Sequence, residues 1–160
     1  GLCGIDSLEE ALRNVARVPA STFSMTPTQI LQAMSSLPSA QPLHDLTRAV
    51  HAAGFWNGAL SAAREDVGRH NALDKLTGSL VRAKTSPQGA VLLTSRVSID
   101  MVQKVAALGA PFLIAVSAPT AQAVQLAQEA GITLIALARA DRFEAYTHVD
   151  GITQEGADVA

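Results

Sequence analysis

A chain of 160 residues is long enough for one domain with its own core, and because 48% of it is apolar but only 4% aromatic, Ala, Leu and Val must fill that core, which suits close packing of helices on a sheet. The net charge of -2 with scattered basic residues argues against a nucleic-acid partner, and there is neither an apolar run of membrane-spanning length nor a signal peptide. The single cysteine, Cys3, excludes a disulfide within the chain and fits a reducing, cytoplasmic setting.

Ser7-Leu8-Glu9-Glu10 has the form of a capping box, and Leu8, Ala11, Leu12 and Val15 follow at helical spacing, predicting a short amphipathic helix that ends near Val18-Pro19. Residues 19–42 read as a connection carrying one short helix, opened by Thr26-Pro27 as N-cap and first-turn proline and running to about Ser36. Another helix spans roughly Leu43 to Val50. Asn57-Gly58, between Gly54-Phe55-Trp56 and Ala59-Leu60-Ser61, predicts a two-residue hairpin. Its second strand leads through Arg64–Gly68 to a helix starting near Arg69, on which Leu73, Leu76 and Leu80 share a face.

Strands are then predicted at Ala90–Thr94, Phe112–Val116, Thr133–Ala138 and Glu144–His148, with helices at Ser98–Leu108 and Thr120–Ala130. Ser95 and Ser117, Ser98 and Thr120, and Gly109 and Gly131 repeat at a spacing of 22 residues, as successive strand-loop-helix units with glycine stops. The tail from Thr153 reads as loose. The fold class is therefore α/β, a three-layer sandwich on a largely parallel mixed sheet. Residues 1–18, 19–42 and 43–152 are parts of one domain, and 153–160 its tail.

Ligands of open α/β sheets bind beyond the carboxyl ends of the strands. The turns expected there contain Arg69, Arg96, Ser117, Thr120, Arg139 and Arg142, and three of them lead into helix N-termini. Taken singly, Ser98 and Thr120 are ordinary N-caps and an arginine at a strand end is ordinarily solvated. Together they describe a cationic rim suited to phosphates. The densest polar segment is Arg64–Lys75, where His70 and Asp74, and Asn71 and Lys75, are i, i+4 neighbours. A zinc deaminase would need His-x-Glu and a later Pro-Cys-x-x-Cys. His44, His51 and His70 are instead followed two places on by Leu46, Ala53 and Ala72, so no zinc is expected. No Gly-x-Ser-x-Gly elbow supports a serine hydrolase. Cys3 reads either as an incidental cysteine near the start of the chain or as a nucleophile with a depressed pKa.

Arg64–Lys75 (REDVGRHNALDK) resembles the central motif of the formate dehydrogenase accessory sulfurtransferases, the FdhD family. Gly1–Gly4 is similar to all but the first residue of that family's Cys-Gly-x-Cys-Gly segment, and Val50–Ala53 to the end of its Thr-Gly-Gly-x-His-Ala-Ala segment. Arg96–Val102, Ser117–Thr120 and Thr133–Thr147 resemble its Arg-x-Ser-x-Glu-Met-Val, Ser-Ala-Pro-Thr and Thr-Leu…Arg…Tyr-Thr segments.

The resemblance implies a cytidine-deaminase-like fold without zinc, and a carrier that receives persulfide sulfur from a cysteine desulfurase. The carrier would pass that sulfur to the molybdenum bis-guanine-dinucleotide cofactor of a formate dehydrogenase client. It implies Cys3 as the reactive thiol and Leu137, Ala138, Arg139, Ala140, Asp141 and Arg142 as the turn in direct cofactor contact. His51, Arg69, His70, Asn71, Asp74, Lys75, Arg96, Ser117 and Thr120 would complete the pocket, and a homodimer is compatible with the pattern.

Three departures stand out. The pattern's first cysteine, which the resemblance implies as the persulfide carrier with Cys3 near the transfer point, would fall immediately before Gly1, which suggests a fragment lacking an N-terminal part and inactive for that reason. Thr47-Arg48-Ala49 stands where the pattern has Thr-Gly-Gly, and Ser95 replaces a glycine. The alternative implied by these changes is a diverged, non-catalytic module that holds the guanine-nucleotide-bearing cofactor without moving sulfur.

Overall fold

The computed structural model describes residues 14–155; Cys3 and most of the helix expected before Val18 lie outside them. Helix α1 (Pro27–Ser36) begins as its sequence dictates. Thr26 Oγ1 accepts from the Gln29 N–H at 3.2 Å, the Gln29 side chain accepts from the Thr26 N–H at 2.9 Å, and Pro27 occupies the first turn. Ile30, Ala33 and Met34, at i, i+3 and i+4, form its buried face. After a 3-10 turn at Pro38–Ala40 comes the short helix α2 (Pro42–Thr47), which stops at Arg48 in the left-handed conformation, φ 55°. The chain then enters β1 (His51–Trp56) three residues earlier than the hairpin signal suggested.

Strand β2 (Leu60–Asp66) pairs antiparallel with β1, but the turn holds three residues, not two, because Trp56 pairs with Leu60 across a bulge at Phe55/Trp56. Helix α3 (Arg69–Arg82) buries Ala72, Leu73, Leu76 and Leu80. Three strands follow, β3 (Ala90–Leu93), β4 (Phe112–Ala115) and β5 (Thr133–Ala136), with every residue buried. Such continuous apolar runs belong to parallel strands covered on both faces. Helices α4 (Ile99–Leu108) and α5 (Ala121–Ala130) cross between them, each stopped by a glycine with positive φ, Gly109 at 88° and Gly131 at 79°. The last strand, β6 (Glu144–Ala145), is shorter than its sequence suggested.

The six strands form one sheet in the order β2-β1-β3-β4-β5-β6. β2, β3, β4 and β5 point the same way, while β1 and β6 run against them. One face packs Phe55, Val91, Leu93, Leu113 and Leu134 against α3, α4 and α5. The other packs Trp56, Leu92, Phe112, Ile114 and Ile135 against Ile30, Ala33 and Met34 of α1. This is the expected three-layer sandwich.

Two expectations need correction. Residues 19–42 are not a mere connection, since Met25 is buried and bridges to Ile152 alongside the core. Nor is the chain loose from Thr153: its N–H donates to the Met25 carbonyl at 3.0 Å, and Glu155 Oε1 accepts from the Thr28 N–H at 2.8 Å. Apolar burial of Met25 holds the two strand-like segments together where local composition offered only a turn-rich reading.

Candidate functional site

The carboxyl ends of β2, β3, β4 and β5 meet on one edge, and the register brings the start of β1 there too, with His51 opposite Asp66. The turns carrying Arg69, Arg96, Ser117–Thr120 and Leu137–Arg142 therefore share that edge. A parallel bridge between Val97 and Pro119 ties two of them together, with the Val97 N–H donating to Ala118 at 3.3 Å and the Thr120 N–H to Val97 at 3.0 Å.

In Arg64–Lys75 the bonds formed are not the i, i+4 pairs. Asp66 Oδ1 accepts from the Gly68 N–H at 2.8 Å and from Asn71 Nδ2 at 3.4 Å, and Asp66 Oδ2 takes Lys75 Nζ at 2.6 Å. Lys75 beside it, then the Gly68 N–H, hold the Asp66 carboxyl below its usual range. Lys75 also donates to the Glu65 carbonyl at 3.1 Å. Asp74 pairs with Lys104 of α4 at 2.5 Å, joining two helices on the outer face. Folding of β2 onto α3 puts Asp66 within reach of Lys75, a proximity that helical spacing alone does not contain. Glu65 turns the other way, its two carboxylate oxygens each accepting at 2.9 Å from the Leu43 and His44 N–H groups that open α2.

Against this satisfied network, two polar atoms at the edge are buried with no hydrogen-bond partner among the described residues, Arg69 Nε and Ser98 Oγ. Ser98 was expected to cap α4, but its side chain makes no capping bond, whereas Thr120 Oγ1 accepts from the Ala123 N–H at 3.1 Å. Ser95, at the position where the related pattern has glycine, is buried and donates to the Arg96 carbonyl at 3.1 Å. Arg96 itself is exposed, and His51 and His70 are half-buried.

The Leu137–Arg142 turn is tightly docked. Leu137 takes φ 51°, its N–H donates to Ser117 at 3.3 Å, and the Ala138 N–H donates to Ala115 at 3.1 Å. A bulky residue in the left-handed region is uncommon and persists only where its surroundings impose it. The Arg139 guanidinium donates to the carbonyls of Val116 and Ala138, and the turn closes through the Arg139 N–H and Arg142 carbonyl at 2.7 Å. Ala140 and Asp141 are exposed. Leu137, Arg139, Arg142, Phe143 and Glu144 line a cavity of 220 Å³ here.

Sequence reasoning missed a second, larger cavity of 470 Å³ on the same edge, lined by Gln41, His44, Arg48, Ala49, Val50, His51, Thr94 and Val116. Only His51 among these was singled out as a site residue. The signal that could have found it was Arg48 itself, a bulky residue at a helix stop.

Taken together these features define an open α/β domain with arginines and helix N-termini gathered beyond its parallel strand ends. The chain belongs to the FdhD/NarQ family, whose model matches residues 1–153. It is 53% identical over 155 residues to a sulfur carrier protein FdhD of Agrobacterium fabrum, covering 95% of this chain and 57% of the relative. It is 48% identical over 151 residues to one from Bordetella bronchiseptica, covering 92% and 54%. The chain thus spans little more than half the length of these relatives. A crystal structure from Desulfotalea psychrophila, assigned as a formate dehydrogenase accessory protein, superposes with a TM-score of 0.82 at 32% identity, covering 91% of this chain and 62% of that one.

Proposed function

We propose that this chain is the cofactor-holding core of a sulfur carrier for formate dehydrogenase maturation. In this reading a cysteine desulfurase supplies persulfide sulfur, and a molybdenum bis-guanine-dinucleotide cofactor is the substrate that receives it. The observation that carries the reading is a pair of buried polar atoms with no partner among the described residues, Arg69 Nε and Ser98 Oγ, on the edge where the strand ends converge. A buried donor without a partner costs about 1–3 kcal/mol, and turning these side chains onto phosphate oxygens would remove that cost. The names of the curated relatives support the sulfur-carrying half.

The Leu137–Arg142 turn then holds a guanine-nucleotide end of the substrate. Arg69, His70, His51, Arg96, Ser117 and Thr120 extend the seat along the same strand ends, while Asn71, Asp74 and Lys75 act by fixing the helix that carries Arg69. Cys3 is the sulfur acceptor. Its thiolate attacks the terminal sulfur of the donor's persulfide, the donor's S–S bond breaks, and the donor leaves as a thiolate while Cys3 becomes the persulfide.

Two measurements test the halves separately. After incubation with a cysteine desulfurase and cysteine, mass spectrometry is expected to find one added sulfur on the wild type and none on Cys3→Ser; an unmodified wild type would overturn the sulfur half. Calorimetry with GDP is expected to show binding that an Arg139→Ala, Arg142→Ala double variant loses. Equal affinity in both would overturn the assignment of that turn.

A further inference from the structure

We infer that the 470 Å³ cavity between α2 and the ends of β1, β3 and β4 is a second phosphoryl-binding subsite, with Arg48 as its cation and His44 and His51 as its hydrogen-bond donors. Its size is that of a small-ligand site. His44 Nδ1 is buried with no partner among the described residues. An imidazole nitrogen buried without a partner in a cavity wall can donate to a ligand oxygen once the ring turns it inward and it carries the proton.

The backbone of α2 does not compete for that ligand. Its opening N–H groups at Leu43 and His44 are already taken by the Glu65 carboxylate, which sits at the opposite end of the helix from Arg48. Arg48 forms none of the ion pairs found among the described residues. It holds a left-handed backbone at φ 55°, stopped by its N–H bond to the His44 carbonyl at 2.8 Å. Glycine is the residue that adopts this conformation without strain, so Arg48 carries its guanidinium on a strained backbone. Two imidazoles with one guanidinium suit an anion and not a cation, and no third His, Cys, Asp or Glu converges on them among the described residues.

Position makes the subsite part of a larger surface. Val116 lines this cavity, while its carbonyl accepts the Arg139 guanidinium that walls the neighbouring 220 Å³ cavity. Val116 thus links the lining of one cavity to the Arg139 wall of the other. This deepens the nucleotide reading above and rests on it only for the identity of the whole ligand; anion binding at Arg48 stands or falls separately.

The test is calorimetry with inorganic pyrophosphate and with GDP on the wild type, Arg48→Gly, Arg48→Lys, His44→Ala and the Arg139→Ala, Arg142→Ala double variant, each checked for folding by its thermal midpoint. Arg48→Gly suits the left-handed backbone and is expected to stay folded yet weaken pyrophosphate about tenfold, as loss of a charge-assisted contact does. Arg48→Lys is expected to retain most of the affinity and His44→Ala to lose part of it. A wild type that does not bind pyrophosphate, or an Arg48→Gly variant that binds both ligands like the wild type, overturns the subsite. If GDP binding falls only in the double variant, the subsite fails and the nucleotide seat at Leu137–Arg142 stands. If it falls only in Arg48→Gly, the subsite stands and that seat fails.

Discussion

Asp66 accepts from Gly68, Asn71 and Lys75 at once, and so turns the end of β2 into the start of α3. Because Lys75 and then the Gly68 N–H lower its pKa, its contribution to stability is present above the unfolded carboxylate value of about 3.9 and is lost as pH falls through the lower folded value. Asp66→Asn is therefore expected to melt below the wild type at neutral pH, with a narrower gap at acid pH below the unfolded carboxylate value. A gap of the same size at both pH values, followed by circular dichroism, would rule this out. Arg48 is the opposite case, a residue whose backbone opposes its side chain. Arg48→Gly is expected to raise stability by up to about 1 kcal/mol, offset in part by the freer unfolded chain, and denaturant titration reads the difference. Both residues stood out in the sequence, Asp66 within the densest polar segment and Arg48 as a departure from glycine. Their partners and conformation did not.

Helix α2 is six residues long, buries none of them, and is too short to be stable by itself. What anchors its start is a carboxylate 21 and 22 residues away in sequence, Glu65 on the two opening N–H groups. Glu65→Ala is expected to cost about 1 kcal/mol and to speed hydrogen exchange at Leu43 and His44 before any other helix is affected. Unchanged protection at those two amides would show that other contacts hold the helix. Because α2 presents His44 and Arg48 to the larger cavity, the same substitution is expected to loosen that cavity without touching Arg139. No pattern within residues 42–47 announces this anchor. The helices α1, α3, α4 and α5 were readable because the apolar period of each lies inside its own segment, helped by the Thr26 and Thr120 caps of α1 and α5 and the Gly109 and Gly131 stops of α4 and α5.

At the scale of the molecule, the strand directions decide what gathers where. Four strands pointing one way bring Arg69, Arg96, Arg139 and Arg142 to a single edge in a chain whose net charge is only -2. Binding there is expected to be electrostatic in part. The rise in thermal midpoint caused by GDP should shrink as salt goes from about 0.1 M to about 1 M, where the screening length falls from about 10 Å to about 3 Å. A shift independent of salt would place the binding energy in apolar or stacking contacts instead.

The sequence alone determined the layer architecture, the 22-residue repeat, the shared edge and the family resemblance. Each of these follows from local periodicity, turn residues and the handedness of strand-helix-strand connections. Only the tertiary structure decided which polar groups are used up and which remain. Asp66, Asn71 and Lys75 satisfy one another, Asp74 is drawn to Lys104, and Arg69 Nε, Ser98 Oγ and His44 Nδ1 are left buried and unpaired among the described residues. Composition lists donors and acceptors, but whether a buried one is satisfied depends on the few ångströms that packing sets between residues far apart in the chain.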